Sequence, residues 1–169
     1  AYSSGKKVVS DGIGFHNVDI SKNKIILLNK NTEITLNALA QGILTDRIHE
    51  ILLNSGITNH LINFGEGRSS GLAPHENKWL LNINNNTVDI TNKGFSVSEA
   101  KSTILPNKKS HLFNANIYNA AKDIPSKTIV IANSATLADG LSTTYAVSSK
   151  IVREKLVKYF SDAQFIINT

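Results

Sequence analysis

The chain has 169 residues, of which 41% are hydrophobic and 18% charged, enough apolar material for one core-forming domain and too much for a disordered tail. Without a single cysteine it builds no disulfide scaffold, no thiolate nucleophile and no Cys-ligated zinc or iron–sulfur centre. Lys and Arg number 18 against 13 Asp and Glu, a net charge of +5 that can steer phosphate-bearing partners. The lysines, among them Lys6-Lys7, Lys22, Lys24 and Lys108-Lys109, are scattered and lack interleaved aromatics. That is the pattern of a solvated basic face, not of a nucleic-acid platform.

In chain order, Val8-Val9 and Ile25-Ile26-Leu27-Leu28 are β-type runs separated by the turn-forming stretch Asp11-Gly12-Ile13-Gly14, and they are expected to pair. The period then changes. Leu39, Ile43, Leu44, Ile48, Ile51 and Leu52 recur at helical spacing, predicting a helix over 38–55 with Asn37 as its N-cap and Gly56 just past its end. Leu61–Phe64, Lys78–Ile83 and Thr87–Ile90 read as three strands of an antiparallel meander, and 92–124 reads as irregular and polar. Thr128–Ile131 is a buried-type strand. Ser134 can cap a second helix carrying Leu137, Ala138, Leu141 and Tyr145 on one face, a third amphipathic helix covers Lys150–Phe160, and Phe165–Ile167 closes the chain as a strand. Strands come in blocks and do not alternate with helices, which predicts an α+β fold with antiparallel or mixed sheets and about three helices, in one domain over 1–169.

No apolar run reaches the roughly 18 residues that span a bilayer, so no transmembrane segment is expected. The chain opens on Ala1 without Met, which leaves open an upstream signal or a longer N-terminal region.

Two patterns mislead. Gly65-Glu66-Gly67-Arg68-Ser69-Ser70-Gly71 has GxGxxxG spacing and no following amphipathic helix, so it is no dinucleotide fingerprint. His16, His49, His60, His75 and His111 form no HExxH and no close pair in sequence; surface or turn positions are expected for most of them. Asp139 and Thr143 are more informative, standing four apart on the second helix and so on one face. A carboxylate with a hydroxyl is hard-oxygen ligation of the kind Mg²⁺ or Ca²⁺ takes. The alternative is structural: a first-turn Asp favoured by the helix dipole and a Thr bonded back to a carbonyl.

Four blocks in one order, Ile34–Ile48, Leu61–Arg68 with Trp79 beyond it, Ser110–Phe113, and Ala135–Thr143, resemble the ApbE family of Mg²⁺-dependent FAD:protein FMN transferases. The resemblance implies an ApbE-like (T-fold-like) architecture and transfer of FMN from FAD onto a Thr or Ser of an acceptor flavoprotein, with release of AMP. It implies Mg²⁺ held by Asp139, Thr143 and the backbone carbonyl of Ala38, a flavin-nucleotide contact at Gln41, a general base at His111 and a packing contact to the cofactor at Leu112. It also implies an extracytoplasmic location. Two departures stand out. The family's Asp-Pro-x-Thr-Gly turn after the His-containing segment is here Asn114-Ala115-Asn116-Ile117-Tyr118, which favours as the alternative an inactive ApbE-like binding domain. The family's N-terminal part has no counterpart, so a separate chain or segment is expected to supply it. A further alternative makes Asp139–Thr144 itself a flavin acceptor, since it resembles the family's acceptor motif.

Overall fold

The computed structural model describes residues 10–99, 112 and 125–168. Strand β1 (Val18–Ser21) pairs antiparallel with β2 (Lys24–Leu27) across a two-residue turn. The partner of the Ile25 run is therefore Val18–Ser21; Val8-Val9 lies outside the described residues.

Helix α1 (Asn37–Asn54) follows. The expected cap is displaced by one residue: Leu36 occupies the N-cap position and Asn37 is the first helical residue, its amide donating to Thr35 Oγ1 at 3.3 Å. At the other end Gly56 takes φ 81°, donating its amide to Leu53 while Ile57 donates to Leu52, a Schellman closure that needs the left-handed residue glycine supplies.

Strands β3 (His60–Asn63) and β4 (Gly67–Ser70) form a hairpin. The next two, β5 (Leu80–Ile83) and β6 (Asn86–Asp89), form a separate one, with Asn84 and Asn85 at positive φ as a primed turn requires. The expected meander is thus two hairpins in different sheets. Strand β7 (Gly94–Glu99) arises in the stretch read as irregular, and with β8 (Lys127–Ala132) and β9 (Gln164–Asn168) it completes a five-stranded antiparallel sheet of order β3-β4-β7-β8-β9. Helix α2 (Ala135–Val147) starts at Ser134, whose hydroxyl accepts from the Leu137 amide at 3.1 Å, and α3 (Lys150–Tyr159) follows it. The fold is α+β with three helices among the described residues.

Alternation along β8 divides the core. Val130 and Ala132 pack with Ala138 and Leu141 of α2, flanked by Leu156, Phe160 and Phe165. Ile131 points the other way, joining Ile90, Phe95 and the half-buried Trp79 under the β5–β6 hairpin. The Trp79 indole N–H donates to the Ser70 carbonyl at 3.1 Å, tying that hairpin to the main sheet. No helix among the described residues is long and apolar enough to cross a membrane.

Candidate functional site

Two glycines set the approach of α1 to α2. A Cβ on Gly42 would stand 2.6 Å from the Ala135 carbonyl oxygen, and one on Gly140 would stand 2.8 Å from Leu39 Cδ2. At that separation carboxylates reach across in both directions. Asp46 of α1 accepts from the Ala135 amide at 2.9 Å, the Thr136 amide at 2.8 Å and the Thr136 hydroxyl at 2.6 Å, so it serves the exposed donors of the α2 N-terminus. Arg68 Nε lies 3.9 Å from the same carboxylate. In return, Asp139 Oδ2 of α2 accepts from the Gly42 amide at 3.0 Å. In a regular helix the amide of residue 42 faces the carbonyl of residue 38, so Asp139 stands beside the first turn of α1, where Ala38 is half-buried.

Asp139 is 4% exposed. It sits a full turn into α2, so the dipole-favoured first-turn alternative does not describe it. Burial pushes its carboxyl above the usual carboxylate range, against the opposing pull of the Gly42 amide. Thr143, one turn further on, does not make the back-bond that the structural alternative required of it; Ser142 does, donating to the Asp139 carbonyl at 3.0 Å. Thr143 Oγ1 instead lies 3.3 Å from Ser98 Oγ. Ser142 Oγ lies 2.8 Å from Ser98 Oγ and 2.9 Å from Ser96 Oγ, making a row of hydroxyls between α2 and β7. Among the six predicted residues, Gln41 is exposed on α1 with its amide nitrogen reaching the Gly65 turn, 4.0 Å from where a Gly65 Cβ would be. Leu112 is buried at 5% exposure. His111 and the Asn114–Tyr118 segment lie outside the described residues.

Three features escaped the reading of the sequence. Glu66, between the glycines of the misleading GxGxxxG run, is buried in the β3–β4 turn, where burial and then the Asp139 charge push its carboxyl above the usual range, Ser96 and the Val97 amide pulling the other way. The hydroxyl row comes from Ser96 and Ser98 on a strand whose polar residues hid it. His49 Nδ1 and His60 Nε2, eleven residues apart, come within 2.9 Å, and His60 is buried with Nδ1 3.0 Å from the Ile57 carbonyl. The expectation of separate surface histidines fails for this pair, because α1 and β3 run side by side. A lone acid between glycines beside a strand was the one available sign of Glu66.

Oxygen donors are what this corner offers: the Asp139 carboxylate, the Thr143 hydroxyl and the helix-start carbonyls. Among the described residues no cluster of three or more His, Asp or Glu side chains surrounds a point where a metal ion would sit, so a cation here would depend on backbone, hydroxyl and substrate oxygens as well. A hard divalent ion that keeps water and phosphate ligands fits such a set; a soft or imidazole-seeking ion does not.

No curated protein sequence matches the chain. Solved structures share its fold. Flavin transferase ApbE from Vibrio cholerae superposes with a TM-score of 0.76 at 17% identity, over 95% of this chain and 58% of that one. The flavinyl transferase ApbE of Pseudomonas stutzeri, in its apo form, gives 0.78 at 21% identity, over 94% and 52%. An ApbE protein from Thermotoga maritima gives 0.78 at 19%, over 94% and 56%. The chain thus spans little more than half the length of these proteins. The model of the ApbE family matches residues 4–167, nearly the whole sequence, and the chain belongs to the ApbE family.

Proposed function

We propose that this chain carries the cation- and diphosphate-holding part of a flavin transferase, one that moves FMN from FAD to a Thr or Ser hydroxyl of an acceptor flavoprotein. The observation that carries the reading is the buried carboxylate of Asp139, 3.0 Å from the Gly42 amide, with Thr143 one turn away on the same helix face. Asp139, Thr143 and the Ala38 carbonyl would hold Mg²⁺. When bound, the ion would neutralise charge on the diphosphate.

The protein's own groups have the remaining work. The positive end of the α1 dipole would favour a phosphate beside it, and Gln41 is close enough to the Gly65 turn to border a nucleotide. His111 would take the proton of the acceptor hydroxyl, an imidazole being suited to that exchange near neutrality. As the acceptor oxygen bonds to the FMN phosphorus, the phosphoanhydride bond to AMP breaks and AMP leaves with the electron pair. A location outside the cytoplasm belongs to the same reading.

Exposed apolar residues on α1 (Ile43, Leu44, Ile51) and its N-cap Leu36, and on the first hairpin (Ile20, Ile25) and Leu28 just after it, support a further segment or chain that covers them, in keeping with the chain's partial span of its relatives. The second reading, an inactive ApbE-like domain, rests on Asn114–Tyr118 standing where the family has its Asp-Pro-x-Thr-Gly turn. Calorimetric titration of FAD with and without Mg²⁺, followed by mass analysis of an acceptor protein, separates them. Metal-dependent FAD binding with FMN added to the acceptor is the transferase; binding without transfer is the inactive domain; FAD binding indifferent to Mg²⁺ and to Asp139→Asn refutes the cation pocket.

A further inference from the structure

Among the groups that would hold the cation, the Asp139 carboxylate and the Ala38 carbonyl present lone pairs whichever way they turn. The Thr143 hydroxyl does not. It carries one hydrogen and two lone pairs on a rotor, and with the hydrogen turned to a cation it would repel the ion it should ligate. What sets that rotor is therefore a property of the site.

The hydroxyls between α2 and β7 set it through the number of hydrogens they have. Ser142 is fully buried and has a single hydroxyl hydrogen. The Asp139 carbonyl, 3.0 Å away, can only accept, so that hydrogen goes to it. Giving it instead to Ser96, at 2.9 Å, would leave the next step the same. Either way Ser98 must be the donor in its 2.8 Å contact with Ser142. The one hydrogen of Ser98 is then committed, and what Ser98 offers Thr143, at 3.3 Å, is a lone pair. Thr143 must be the donor there. Ser98 is itself buried, so bulk water does not compete for these positions. With its hydrogen held on β7, the Thr143 oxygen turns its lone pairs away from the strand.

We propose that Ser98 is a positioning residue for the cation site: its oxygen holds the Thr143 hydroxyl hydrogen, so that Thr143 shows a hard divalent ion its lone pairs and no proton. This rests on the cation reading of Asp139 and Thr143 given above. It gives β7, which supplies no ligand in that reading, a share in binding the ion.

The test uses the full chain without FAD and Mn²⁺ as a paramagnetic stand-in for Mg²⁺, with free Mn²⁺ counted by electron paramagnetic resonance, alone and with ADP supplying a diphosphate. The unmodified chain is compared with Ser98→Ala, Thr143→Val and the double variant, each checked for folding by circular dichroism. Ser98→Ala removes the acceptor and should weaken Mn²⁺ binding roughly tenfold, the usual size for a group that orients a ligand; Thr143→Val should weaken it at least as much. In the double variant the loss of Ser98 should add nothing, because the hydroxyl it orients is gone. A merely structural Ser98 would lower the melting temperature without moving Mn²⁺ affinity, or would weaken Mn²⁺ equally with and without Thr143. Either result, with affinity lost in Thr143→Val, overturns the role of Ser98 and leaves the cation reading intact. Wild-type affinity in Thr143→Val overturns ligation by Thr143 and the proposal with it, and no Mn²⁺ binding by the unmodified chain in either condition overturns the whole cation reading. Should Ser98→Ala fail to fold, Ser98→Cys decides: its sulfur is a weak acceptor and should weaken Mn²⁺ in the same direction, and unchanged affinity refutes the proposal.

Discussion

Helices α1 and α2 lie against each other, yet they are held by different physics. The 13 residues of α2 bury Ala135, Ala138, Asp139, Leu141, Ser142 and Ala146, whereas the 18 of α1 bury only Gly42 and Thr45. Apolar burial anchors α2 to the sheet. For α1 the anchor is the close glycine contact and the exchange of carboxylates, Asp46 onto the α2 amides and Asp139 onto the Gly42 amide, while Ile43, Leu44 and Ile51 remain exposed. The helix that would border the nucleotide is thus the one whose position depends most on polar contacts.

Substitutions that strike only one anchor separate the two cases. Leu141→Ala should cost about 2–5 kcal/mol in denaturant unfolding, since it empties space in the main core. Gly42→Ala should cost about 1–3 kcal/mol by forcing a methyl against the Ala135 carbonyl, and FAD affinity should fall with it because the Gly42 amide shifts. Asp46→Ala removes three hydrogen bonds from the α2 start and should cost about 1–2 kcal/mol by thermal melting. Ile51→Thr, on the exposed face of α1, should stay within about 0.5 kcal/mol of wild type; a much larger loss would mean that this face is covered in the protein as it exists.

The smallest expected effect is a pH dependence where α1 meets β3. Burial, then the nearby Arg68 charge, then His60, lower the His49 pKa from its usual 6.5, with Asp46 and Glu50 pulling the other way. The folded state therefore prefers neutral His49. Its contribution is fully present above about pH 6.5 and is lost as pH falls from there through the lower folded value. Stability measured from pH 8 to 5 should decline on the acid side, and His49→Gln should flatten that decline.

Helices and the apolar strand β8 were legible in the sequence because each has a period and punctuation: Ser134 caps as expected and Gly56 closes as expected. β4 and β7 were not. Gly-Phe-Ser-Val-Ser-Glu carries small polar residues because α2 presses on the sheet there: a Cβ on Gly94 would stand 2.2 Å from the Ala135 amide nitrogen, and Ser96 and Ser98 satisfy their hydroxyls on Ser142; in Gly-Arg-Ser-Ser the Phe95 ring fills the space beside Gly67 and the Ser69 hydroxyl donates to the Ile90 carbonyl. Asn37 was a sound cap by type, but the Thr35 hydroxyl took the neighbouring amide and the helix began one residue early. At the site, the spacing of Asp139 and Thr143 was readable, since it needs only one helix. Glu66 was not, because its meaning comes from a turn meeting a helix distant in sequence, and the His49–His60 pair was hidden for the same reason.

The chain's single tryptophan sits where the β5–β6 hairpin joins the sheet, its indole N–H pinned to Ser70. Nature has in effect installed a fluorophore at that seam. Its emission should redden as the hairpin peels away, giving unfolding experiments an optical signal specific to that joint. Because indole emission overlaps flavin absorption, the same ring can act as an energy-transfer donor, reporting an incoming isoalloxazine without any attached dye.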